Sequence, residues 1–120
     1  MILKNFMKQG EIWLINLDPT VGSEIKKTRP AIIVNDNALG KLPLKIIVPI
    51  TDWKERYSIA PWMIKIEPDS KNGLFKESSA DCFQVRSVSQ ERFIKRIGHA
   101  SHIMNEIRIG LSIVLSIERK

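Results

Sequence analysis

The stretch Gly22-Ser23-Glu24-Ile25-Lys26-Lys27-Thr28-Arg29-Pro30-Ala31-Ile32-Ile33-Val34-Asn35-Asp36 joins a charged, glycine-opened loop to a short apolar run. The β-branched residues in 31–34 favour a strand, and Asn35-Asp36-Asn37 followed by Gly40 ends it with turn chemistry. Pro30 sets its own φ and biases Arg29 towards extended backbone, so the guanidinium leaves the chain where the strand begins. A cation aimed by rigid structure is how a phosphate-handling site is built.

Upstream, residues 11–17 gather Ile12, Trp13, Leu14, Ile15 and Leu17 and stop at Asp18-Pro19, which predicts a first strand. The loop 19–28 carries Gly22, Glu24, Lys26 and Lys27 without hydrophobic periodicity, and it is longer than a simple hairpin needs. Downstream, residues 45–50 read as a buried strand. Pro49 within it cannot donate to a ladder and predicts an edge or bulge, leaving Thr51 and Asp52 where the strand meets solvent.

Further strands are predicted over 62–66, 78–86 (Ala80, Cys82 and Gln84 on one face) and 93–97, with a loop at 68–73 and a helical turn at 89–92. Ile103, Met104, Ile107, Leu111, Val114 and Leu115 form a stripe at helical spacing, opposite Asn105, Arg108, Ser112 and Ser116. Ile109 and Ile113 fall outside the stripe centre and call for a second covering surface. Five or six short strands and one terminal helix predict a mainly β protein: a single domain, residues 10–120, built as a small, partly closed β-barrel with the helix packed across it, after a ragged segment 1–9. An open sheet with one helix is the alternative.

The chain's 120 residues, 43% of them hydrophobic, suffice for one core. A net charge of +6 biases its partners towards polyanions. The lone Cys82 excludes an internal disulfide, and no Cys/His set has zinc-like spacing, so neither metal nor cofactor is expected. Without a signal peptide or an apolar run of membrane length, a soluble cytoplasmic protein is the reading.

A basic protein without metal ligands can still cleave RNA, because RNA carries its own nucleophile in the 2′-hydroxyl. The protein must align that hydroxyl with phosphorus and stabilise charge on the phosphoryl oxygens. Arg29 suits the second task, with a planar fork that stays charged; its bland role is a salt bridge to Glu24. Thr51 could bond a phosphate or merely satisfy backbone at a strand end. Glu24, Asp18 and Asp36 are bases by type and turn formers by position. Trp53 is the aromatic placed either to stack on a base or to pack at the barrel rim, Trp13 and Trp62 belong to a core, and His99 with His102 lacks a third metal ligand. Arg86, Arg92, Lys95, Arg96 and Arg108 make a basic C-terminal half, which as a bare charge run is a solvated face.

Gly10-Glu11-Ile12-Trp13, Leu17-Asp18-Pro19, Gly22-Ser23-Glu24, Arg29-Pro30, Val34-Asn35-Asp36, Ile50-Thr51 and Gln84-Val85-Arg86-Ser87-Val88 follow one another in an order and spacing that resembles the MazF/PemK toxins of bacterial toxin–antitoxin modules, over residues 10–117. The resemblance implies an SH3-like (CcdB/PemK-like) barrel homodimer. It also implies a metal-independent endoribonuclease (mRNA interferase) that cuts single-stranded mRNA, inhibited by a small antitoxin whose acidic or hydrophobic tail occupies the RNA site. Arg29 and Thr51 match the family's catalytic arginine and threonine. Ser23, Glu24, Lys27, Trp53, Gln84 and Arg86 are the substrate-binding candidates. Where many relatives read Cys-Asp-Gln, this chain reads Cys82-Phe83-Gln84, and Asp81 stands where one branch has an arginine, which favours an Arg29/Thr51 arrangement. A non-catalytic binding barrel and a CcdB-like gyrase poison are the competing readings.

Overall fold

The computed structural model describes residues 7–117. Seven strands and a terminal helix follow in chain order: β1 (Glu11–Asn16), β2 (Thr28–Ile33), β3 (Leu44–Asp52), β4 (Met63–Ile66), β5 (Ser78–Asp81), β6 (Arg86–Ser89), β7 (Phe93–His99) and α1 (Met104–Val114). The sheet order is β4-β5-β3-β2-β1-β7, with β6 also on β3. The strands are antiparallel throughout. β4 and β7 end the path without pairing to each other, so "barrel" describes this sheet only loosely.

β3 is the hub. One side pairs β2, with Ala31 opposite Pro49, and the other pairs first β6 (Leu44 to Ile47) and then β5 (Ile50 to Asp52). Pro49 therefore lies in a central strand, not at an edge. The amide of Val34 donates to Ile46 O at 2.9 Å. Alternation along an antiparallel ladder then turns the nitrogen of Pro49 away from β2, into the gap between β6 and β5 where no donor is required.

Both faces of this sheet are covered. Ile12, Ile32, Val48 and Ile50 join Ile64, Ile66, Ala80 and Cys82 in a core beneath Ile103, Met104 and Ile107 of the helical segment. Trp13, Ile15, Ala31, Ile33 and Ile47 join Met7, Leu17, Val88 and Phe93 in a second. A strand buried on both sides needs a continuous apolar run, which is how residues 11–17 and 45–50 read. Of the N-terminal segment, Met7 is buried and Gln9 Nε2 donates to Val34 O at 2.9 Å; residues 1–6 lie outside those described.

Two sequence expectations are corrected. The strand expected over 78–86 breaks into β5 and β6 around a 3₁₀ turn, Cys82–Gln84, because Asp81 accepts a hydrogen bond from the Phe83 amide and β3 changes partner there. On α1 the buried face is Met104, Ile107, Gly110 and Ser112, whereas Leu115 lies beyond the helix end and is exposed. Ser112 is accommodated by donating to Ile109 O at 2.7 Å. A Cβ at Gly110 would stand 2.7 Å from Cys82 Sγ, so the helix can approach that closely only with glycine there. Cys82 is fully buried, and burial pushes its thiol up to about 12.

The loop between β4 and β5 is seated on β7, where a Cβ at Gly98 would meet Lys71 O at 2.3 Å and Asn72 C at 2.5 Å. Backbone cannot yield as a side-chain tip can. Gly98→Ala is expected to lower stability by at least about 2 kcal/mol. Gly22→Ala, with nothing within 4 Å but φ at +59°, should cost about 1 kcal/mol. Midpoints of urea unfolding for the two variants test the ordering.

Candidate active site

Arg29 is the second residue of β2, and Thr51 the penultimate residue of β3. The β2–β3 ladder ends at Ala31 and Pro49, and Arg29 and Thr51 each stand two residues beyond that last pair, towards the same end of the sheet. Both line a groove of about 770 Å³ whose wall is formed by the ends of β2, β3 and β7 and the β4–β5 loop. The charged groups lining it are Arg29, Lys71, Lys76, Lys95 and Arg96 against Asp52 and Asp69. Lys76 is 3.1 Å from Asp52, and Arg96 is 3.3 Å from Glu11. The backbone amides of Lys71 and Asn72 hold the Asp69 carboxyl below the usual carboxylate range.

Arg29 is half-buried, and its Nε donates to Lys26 O at 3.2 Å. That bond anchors one edge of the guanidinium to the loop 19–28 and leaves the terminal nitrogens free of protein partners among the described residues. Thr51 faces Ser79 across the β3–β5 ladder, and the fully buried Ser79 hydroxyl has no hydrogen-bond partner among the described residues.

A second groove, about 470 Å³, is lined by Ser23, Glu24, Ile25, Pro49, Phe83, Gln84, Val85 and Arg86. Pro49 lines this one, while Ile50 and Thr51 line the larger, so the two come together on adjacent residues of β3. The sequence candidates Ser23, Glu24, Gln84 and Arg86 thus gather beside, rather than within, the groove that holds Arg29 and Thr51.

Much of their hydrogen bonding is spent on shaping the loop. Gln84 Oε1 accepts from the Ile25 amide at 2.6 Å, and its Nε2 donates to Ser23 O at 3.2 Å. Arg86 donates to Leu17 O at 3.2 Å. Glu24 accepts from the Val21 amide at 2.6 Å and makes no salt bridge to Arg29. Asp18 accepts from Thr20 and the Lys27 amide, and Arg92 donates to Asn16 O and Asp18 O. Lys27 takes a positive φ of 70° and keeps its side chain exposed. Asp36 caps the turn Asn37–Leu39 through the Ala38 amide.

Trp53 lines neither groove. Its ring meets Tyr57 edge-on at 5.9 Å, carries the Lys65 ammonium at 5.1 Å from its centroid and donates to Glu55. Sequence reasoning passed over Lys71, Phe75 and Lys76 and read Lys95 and Arg96 as solvated. A basic residue in every short segment around one mouth was the only available signal, and it becomes legible once topology brings those segments together.

Residues 8–115 match the family described as PemK-like, MazF-like toxin of type II toxin-antitoxin system. Endoribonuclease PemK of Escherichia coli is 33% identical over 116 residues, 94% of this chain and 85% of that protein. Endoribonuclease MazF9 of Mycobacterium tuberculosis is 30% identical over 101 residues, 79% of this chain and 83% of its own length. In fold the chain is similar to MazF of Deinococcus radiodurans, with a TM-score of 0.75 at 20% identity, covering 92% of this chain and 96% of that one. With the family matched along nearly the whole described chain, and with Arg29 and Thr51 lining one groove, this protein belongs to the PemK-like, MazF-like toxins of type II toxin–antitoxin systems.

Proposed function

We propose that the chain is the endoribonuclease toxin of such a module, cleaving single-stranded mRNA without a metal ion by attack of the 2′-hydroxyl on the adjacent phosphate. The observation that carries the reading is the meeting of Arg29 and Thr51, distant in sequence, in one groove whose charged lining residues are mostly cationic. The free edge of the Arg29 guanidinium can donate two hydrogen bonds to the non-bridging oxygens, where charge grows as the phosphorane forms. Thr51 orients the phosphate or the attacking hydroxyl, and alignment of that kind lowers the barrier by removing unproductive geometries. The 5′-oxygen leaves as a hydroxyl, and the other product ends in a 2′,3′-cyclic phosphate or its 3′-phosphate.

The second groove, with Ser23, Glu24, Gln84 and Arg86, carries the neighbouring nucleotides, and the loop 19–28 gates access for both RNA and the cognate antitoxin. Exposed Ile109 and Ile113 on α1 support a homodimer. No helix among the described residues is long and apolar enough to cross a membrane, and the cytoplasm, where mRNA is found, is the site of action. The groove around Arg29 favours cleavage over the gyrase-poison reading, which gives neither Arg29 nor Thr51 a role.

In chelator, the protein is expected to cut single-stranded RNA to 5′-hydroxyl ends. Arg29→Ala should lose about 10²- to 10³-fold in kcat, and Arg29→Lys, which keeps the charge but not the fork, should fall between. End mapping on a mixed RNA pool, run beside both variants, checks this; intact RNA with the parent protein would sink the enzyme. Gln84→Ala removes both hydrogen bonds that tie the loop to the Cys82–Gln84 turn. Amide exchange at Ile25 should speed up at least about tenfold while the global unfolding midpoint moves little, as read by exchange mass spectrometry.

A further inference from the structure

Phe75 has 100% of its side chain exposed, in a loop fixed at almost every other residue. Asn72 is fully buried: its Nδ2 donates to Glu67 O at 2.8 Å, and its Oδ1 accepts from the Leu74 amide at 3.0 Å. Asp69 Oδ1 accepts from the amides of Lys71 and Asn72, each at 2.8 Å. Lys71 O accepts from the His99 amide at 3.0 Å, and a Cβ at Gly73 would strike Ile97 O at 2.2 Å, so the loop is pressed onto β7. Past Phe75, Lys76 reaches Asp52, and Glu77 O accepts from the Trp53 amide at 3.1 Å. Leu74, immediately before Phe75, packs against the first core.

Isolated exposed apolar residues are common and need no explanation. Phe75 differs in its setting. The segments on both sides of it are anchored, and it lines the groove together with Arg29, Thr51, Lys71, Lys76 and Lys95. An exposed aromatic face among cations is the pairing that single-stranded nucleic acid requires, because each base offers a π-face and each linkage a negative charge.

The geometry points to Phe75 as the stacking platform for a base of the strand whose phosphate meets Arg29 and Thr51, with Lys71 and Lys76 taking phosphates to either side. The assignment rests on the RNA-cleaving reading of this groove. Stacking tolerates any base, so Phe75 adds affinity and fixes the position of the strand without setting the cleavage sequence.

The test compares Phe75→Ala, Phe75→Leu and Phe75→Trp in two measurements. The first is steady-state cleavage of an RNA oligomer. The second is binding of a non-cleavable 2′-O-methyl oligomer carrying 2-aminopurine at successive positions, read by anisotropy and fluorescence quenching. Stacking predicts that Ala and Leu raise KM and weaken binding by about 5- to 150-fold with kcat little changed, that quenching at one position disappears, and that Trp restores both. Because the ring is fully exposed, unfolding midpoints should match the parent's. Equal KM and quenching in all variants would overturn the platform while leaving cleavage intact, and so would a change in oligomeric state on Phe75→Ala, which would place the ring at a contact between copies. Phe75-dependent quenching in a protein that cuts nothing would uphold the platform and remove the nuclease.

Discussion

The register of β2 on β3 is the constraint on which the rest depends. It is pinned at one end by the Val34 amide on Ile46 O at 2.9 Å and by Asn35 Oδ1, which accepts from the Ile46 amide at 3.0 Å. Between these bonds and the mouth, Ile32 packs with Val48 on one face and Ala31 and Ile33 with Ile47 on the other. A slip of one residue would exchange the two faces and turn Arg29 away from the groove that it lines with Thr51. Two apolar cores therefore hold the relative placement of two polar side chains, and neither side chain contributes to that placement.

The loop 19–28 serves the same end by different means. It buries little besides Ile25, which packs on the second core, and it is held by hydrogen bonds to Asp18, Gln84 and its own Glu24. Such a segment opens at far lower free energy than the sheet beneath it. Arg29 is bonded to this loop through Lys26 O while its backbone belongs to β2. A partner that lifts the loop thereby alters the guanidinium edge without disturbing the strand.

Most of the fold was legible because it follows from local apolar patterning. The runs 11–17 and 45–50 became β1 and β3, and the turn signals at Asp18-Pro19 and Asn35-Asp36 fell at strand ends. The failures share a cause. Pro49 looked like an edge because a single chain does not reveal that β3 exchanges β6 for β5 beside it. Residues 78–86 looked continuous because the Asp81 cap on Phe83 is a choice between two local bonds that tertiary pairing decides. Ser112 was placed outside because its inward bond to Ile109 O depends on how α1 docks at Gly110. At the site, Arg29-Pro30 stood out by its own chemistry, whereas Thr51 gained a role only through resemblance, and the lysines around Phe75 only through topology.

In the proposed cleavage, the remaining question of chemistry is where the 2′-hydroxyl proton goes. Glu24, Asp18 and Asp36 each direct a carboxylate oxygen at a backbone amide, Asp52 is paired with Lys76, and Asp69 is stabilised as the anion by two amides. Asp81, whose carboxyl is raised by burial, lines neither groove, and the next residue but one is the apolar Phe83. Of these, Asp69 is made more acidic and Asp52 is held by a cation, and neither change suits a general base near neutral pH. The groups that converge on the mouth are instead a guanidinium, lysines and hydroxyls, which bind and stabilise anions. On the proposed reading, the site is accordingly weighted towards aligning the strand and neutralising the phosphorane, with Arg29 lowering the energy of the charge that develops there.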